Sequence, residues 1–145
     1  MPAGGAFEFE TGVLKMWILL EKVTDITSAQ ILAMASTPVE IIPDPGDGFI
    51  TVPVGICWDV QPGTAYSGAG SITTAFDGGA TAFTTFTPGL DAAVQTIGAA
   101  LAPSEAAAAA TTRAGAVTAS LADPLTTGTG TLRITAKYYV QDLQS

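Results

Sequence analysis

Two segments of this chain alternate between apolar and polar positions, and a period of two over that length points to extended, paired strands. In Phe49–Val60, the positions Val52, Val54, Ile56, Trp58 and Val60 fall on one face, while Pro53, Gly55, Cys57 and Asp59 fall on the other. In Thr131–Val140, Leu132, Ile134, Ala136, Tyr138 and Val140 oppose Arg133, Thr135, Lys137 and Tyr139. Proline removes a ladder N–H, so Pro53 predicts an edge position or a bulge in the first segment. The second reads as a closing strand with one core-facing side and one wetter side.

Shorter segments between turn residues continue the rhythm. Val13–Val23 fits a helix through Val13, Met16, Trp17 and Leu20, or one strand face through Leu14, Met16, Ile18 and Leu20; a strand from about Met16 is favoured. Thr27 followed three residues on by Gln30 is a capping-box arrangement that predicts a short helix through about Met34, stopped by Pro38. Val39–Ile42 is β-branched, and Pro43-Asp44-Pro45-Gly46-Asp47-Gly48 after it forces a reversal. Strands are expected over Ser71–Phe76, Ala82–Phe86 and Ala114–Leu121, with Asp77-Gly78-Gly79 as a hairpin turn. Leu90–Leu101 reads as a second helix, and Ala106–Ala110 as helix or smooth connection. No internal repeat is visible. The expected fold is all-β, an antiparallel β-sandwich of jelly-roll-like form with one or two short helices. Residues 1–12, with Gly4, Gly5 and Phe7-Glu8-Phe9-Glu10, read as an extended N-terminal arm ahead of a single β-sandwich domain over 13–145.

A chain of 145 residues suits one domain with one core. Its charged fraction of 12% is about half the globular average, whereas apolar residues reach 48% with 16 glycines besides. The longest compact apolar run is Met16–Leu20, far short of a membrane helix, so the excess apolar surface is assigned to subunit contacts and no membrane is expected as a partner. With a net charge of −8 and its basic residues scattered, the chain is not expected to bind nucleic acid. The first twelve residues lack the pattern of a secretion signal. Cys57 has no internal disulfide partner and reads as a small core or sheet residue.

The sequence contains no histidine, which removes the commonest general base, the usual partner of a Ser or Cys nucleophile and the commonest zinc ligand. Paired carboxylates can cleave glycosides, but Asp44 and Asp47 lie in a turn that favours acids for backbone reasons, and Asp59 lies on the polar side of its strand. Asp77-Gly78-Gly79 is followed by neither the Lys-Ser/Thr pair nor the helix of a phosphate loop. No catalytic residue, metal or cofactor is expected, and the chain is not expected to be an enzyme. Trp58 follows the core face of its strand. Trp17 falls opposite Leu14, Met16 and Ile18 in a strand, so Met16 and Trp17 are candidates for a subunit contact. Phe7 and Phe9 on the arm form a candidate apolar hook for a neighbouring subunit or shell.

The stretches Val23-Thr24-Asp25-Ile26-Thr27-Ser28-Ala29-Gln30-Ile31-Leu32 and Thr37–Gly48 come first in a wider pattern. With Thr64-Ala65-Tyr66-Ser67-Gly68, Phe76-Asp77-Gly78-Gly79 and Thr127–Ile134, they resemble a module recurrent in small virion proteins of tailed bacteriophages. The likeness runs over Val23–Phe76 and Leu125–Val140 and leaves out residues 1–20 and Ala99–Thr112. It implies a β-sandwich in the virion that decorates or cements a capsid surface, or sits on a tail, baseplate or fibre. Such a subunit is commonly a homotrimer, with itself and the major capsid protein or other virion proteins as partners and no active site. A carbohydrate-binding sandwich for host recognition is the alternative; it would need a rim of exposed aromatics and carboxylates, for which Tyr66, Asp77 and Asp44 are the nearest candidates.

Overall fold

The computed structural model describes residues 5–10, 13–76, 82–101 and 115–143, with side chains from Ile18 onward apart from Phe83 and Leu101. Ten strands and one helix follow in the order β1 (Gly5–Glu10), β2 (Val13–Ile18), β3 (Leu20–Ile26), α1 (Ser28–Ala33), β4 (Val39–Ile42), β5 (Phe49–Gln61), β6 (Ile72–Phe76), β7 (Ala82–Phe86), β8 (Thr96–Leu101), β9 (Val117–Leu121) and β10 (Thr131–Asp142). The last eight strands form two antiparallel sheets, β3-β10-β5-β8 and β4-β9-β6-β7. The chain crosses from sheet to sheet, and this strand order is that of a jelly roll. The two inner faces meet over a shared core that includes Ile26, Ile41, Ile56, Ile72, Val117 and Ile134.

The expected alternation survives in β10, where Leu132, Ile134, Ala136 and Tyr138 are buried and Arg133 and Lys137 exposed. In β5 it survives only from Ile56 on. Lys137 pairs with Gly55 but Tyr138 pairs with Pro53, so Val54 is an extra residue at a bulge. The bulge shifts the parity: Thr51 becomes fully buried, while Val54, expected on the core face, is 39% exposed. β8 pairs with β5 only from Gly55 to Val60, so Pro53 lies beyond its reach and the missing N–H breaks no ladder there. A bulge in β4 between Glu40 and Ile42 likewise lets the adjacent Ile41 and Ile42 both be buried.

The helix forms where its cap predicts. Thr27 Oγ1 accepts from the Gln30 amide at 3.3 Å, and the Thr27 amide donates to Gln30 Oε1 at 2.9 Å. Ile31 and Met34 then enter the core. The second expected helix does not form. Leu90–Leu101 is a turn after Gly89, whose φ is +78°, and then strand β8. Packing explains the change: the edge of β5 takes up β8, and Trp58 lies directly over Gly98, where a Cβ would stand 2.2 Å from its ring. The same indole stacks on Phe86 of the opposite sheet at 4.4 Å, which makes Trp58 the core residue its alternation suggests. Cys57, read as a small core or sheet residue, is a sheet residue exposed on the outer face. The Asp77-Gly78-Gly79 turn and Ala106–Ala110 lie outside the described residues.

Two loops at one end of the sandwich are laced together. Thr129 donates its amide to Thr64 O at 3.1 Å, the Thr64 amide donates to Thr129 Oγ1 at 2.8 Å, and the Thr126 amide donates to Ser67 Oγ at 2.9 Å. Tyr66 fills the space between them, 5% exposed, and its phenol donates to Gly130 O at 2.5 Å.

Candidate assembly surface

Residues 5–10, expected to be part of an unpaired arm, are a strand and are paired. β1 and β2 form a two-stranded antiparallel ribbon of their own, outside both four-stranded sheets. Its register sets Phe7 opposite Met16, Phe9 opposite Leu14, Glu8 opposite Lys15 and Ala6 opposite Trp17. Opposed residues share a face in an antiparallel ladder. Positions 7, 9, 14, 16 and 18 therefore make one face, uniformly apolar in sequence, and Trp17 belongs to the other. The structure thus brings three of the four sequence candidates, Phe7, Phe9 and Met16, to one ribbon face and separates Trp17 from them; their side chains lie outside the described residues.

β2 is separated from β3 by Leu19 alone, and it touches β10, so the ribbon springs from the end of the first sheet. There the inner face of that sheet keeps large apolar side chains partly exposed beside the buried Thr51 and Tyr138. Leu20, opposite Tyr138, is 36% exposed, and Val140, opposite Thr51, is also 36% exposed. Phe49 at 40% and Ile18 at 46% adjoin them. Sequence reasoning missed Leu20, Phe49 and Val140 because alternation places a residue on a face but does not report how the two sheets and the ribbon meet.

The charged groups on the outer face of the first sheet are paired with one another or with amides. Arg133 Nε donates to Asp25 Oδ1 at 2.6 Å, and this bond, with the guanidinium charge, holds the Asp25 carboxyl below its ordinary range and raises Arg133. Lys137 stands 3.6 Å from Glu21. Asp59 accepts from Gln61 and from Gln95, each at 2.8 Å, rather than facing a second carboxylate. Asp25, Ile26, Thr27, Gln61, Thr131 and Arg133 line an open cleft of about 430 Å³. Its polar lining is the Asp25–Arg133 ion pair with Thr27, Gln61 and Thr131.

Of the residues named for a glycan rim, Tyr66 and Asp44 lie among the described residues. Tyr66 is buried, with burial pushing its phenol pKa up. Asp44 accepts the Gly46 amide at 2.8 Å in the reversal after β4, and Asp77 lies outside the described residues.

The fold is similar to that of a solved chain titled "Cyanophage Pam1 capsid asymmetric unit", with a TM-score of 0.56 and 12% sequence identity, covering 96% of this chain and 88% of that one. No protein-family model matches the chain, and no curated protein does.

Proposed function

We propose that this chain is a structural bacteriophage virion protein that decorates or cements a capsid by self-association and shell contacts. The observation that carries this reading is the likeness, over nearly its whole length, to a chain in a cyanophage capsid asymmetric unit. The β1–β2 ribbon supports the mechanism. Two strands alone are marginally stable in water and need a hydrophobic cover. In the proposed homotrimer, the ribbon face bearing Phe7, Phe9 and Met16 supplies contacts to a neighbouring copy or to the major capsid protein, with Trp17 on the reverse face free for the second surface. The partly exposed apolar residues Leu20, Phe49 and Val140 form the matching seat. Each large apolar side chain covered there contributes about 1.5–3 kcal/mol, and cyclic symmetry repeats the contact.

Immunogold labelling tests the location: antibodies raised against the purified protein are applied to phage particles from its source. Label spread over the heads is expected. Label confined to tails, or no label on any particle, would contradict the capsid role. The carbohydrate-binding alternative has lost its aromatic candidate, since Tyr66 is buried.

A further inference from the structure

The four outer edges of the two sheets are not equally protected. Free strand edges invite pairing with other chains, and proteins block them with charge, short length, proline or bulges. β3 carries Glu21, Lys22 and Asp25, all exposed. β4 is four residues long and irregular, and β7 carries an extra residue opposite the Thr74–Ala75 step. β8 has none of these defences. Its sequence Thr96-Ile97-Gly98-Ala99-Ala100-Leu101 has no charge and no proline, and its pairing with β5 runs through six residues without a shift. No strand among the described residues pairs with its other side. The two most exposed large apolar residues described stand at this strand: Ile97 at 73% and, just before it, Val94 at 63%.

We infer that β8 is a strand-addition edge, and that its occupant is β8 of a second copy, paired antiparallel across a two-fold axis. The chemistry specifies the occupant in two steps. Unpaired ladder groups are satisfied by another extended backbone. Two chains of charge −8 repel where their acids meet, and β8 is a charge-free strand that brings no acid of its own against its symmetry mate. The neighbouring Asp59 is already held by Gln61 and Gln95. A two-fold contact is self-complementary, so each copy both offers and covers Ile97 and Val94. The resulting eight-stranded sheet joins two copies through a surface distinct from the ribbon. This inference stands apart from the virion reading; if both hold, ribbon-linked trimers are tied to one another across two-folds.

Hydrogen exchange of the full-length protein over a concentration series tests it. Protection of β8 amides that rises with concentration is expected, together with a variant Ile97→Lys that stays folded and associates about tenfold or more weakly at this contact. Val23→Lys, an equally apolar-to-charged change on the β3 edge, is the control and is expected to leave the β8 protection unchanged. Concentration-independent exchange in β8, or equal protection in Ile97→Lys, would overturn the assignment.

Discussion

Tyr66 joins loops 64 residues apart in sequence, and its ring leaves room for nothing larger than glycine beside it: a Cβ on Gly128 would stand 2.3 Å from Tyr66 Cδ1 at a φ of +130°. Removing the hydroxyl by Tyr66→Phe leaves the buried Gly130 carbonyl unpaired and should cost about 1–2 kcal/mol, measurable by urea denaturation. Because burial raises the phenol's folded pKa above its unfolded value of about 10, its contribution is present below that pH and is lost as pH rises through the folded value. Wild type should therefore lose stability more steeply than Tyr66→Phe above about pH 10. Gly98→Ala drives a methyl into the Trp58 ring, which Phe86 holds from the far side, and should cost about 1–3 kcal/mol with a change in near-UV circular dichroism. At this scale the sequence was half legible. Trp58 followed from its alternation, but Tyr66 stands among Gly, Ser and Thr with no period to place it, and it looked like an exposed rim residue because its acceptor lies in a distant loop.

The elements with a complete local signal formed where expected. Thr27 and Gln30 carry the whole start of α1, and Thr27→Ala should cost about 1 kcal/mol of unfolding free energy, with Ser in its place restoring most of it. β8 shows the opposite case. The leucines and alanines of Leu90–Leu101 favour a helix by propensity, and that preference was overridden by the open ladder of β5 and by the single position, Gly98, that admits the Trp58 ring. β5 was read in the right parity from Ile56 on and in the wrong parity before Val54; Pro53 marked the bulge without telling which residue would be extra. Phe7-Glu8-Phe9-Glu10 was read as an arm rather than a paired strand, because its pairing depended on Val13–Ile18 being strand rather than helix, an ambiguity that residue pattern alone left open. Phe7→Glu with Phe9→Glu should leave the sandwich's thermal transition in place and weaken the proposed subunit contact at least about 100-fold, read by sedimentation.

Across the whole molecule, alternation, turn chemistry and the scarcity of charge were enough to indicate a two-sheet sandwich, and the structure places its eight strands in jelly-roll order. Which strands would be neighbours was not legible, because β10 pairs with β3 and β5 through contacts 70 or more residues apart in sequence. The same holds for the candidate surface. Phe7, Phe9 and Met16 were named from sequence, but the partial exposure of Leu20, Phe49 and Val140 depends on how the two sheets and the ribbon meet, which alternation does not report. Assembly through the ribbon requires a partner outside its own chain. The mass of the purified protein in solution, with and without residues 1–12, tests this directly. A stable trimer that falls apart on truncation is the expected result, whereas a monomer in both forms would contradict assembly through the ribbon.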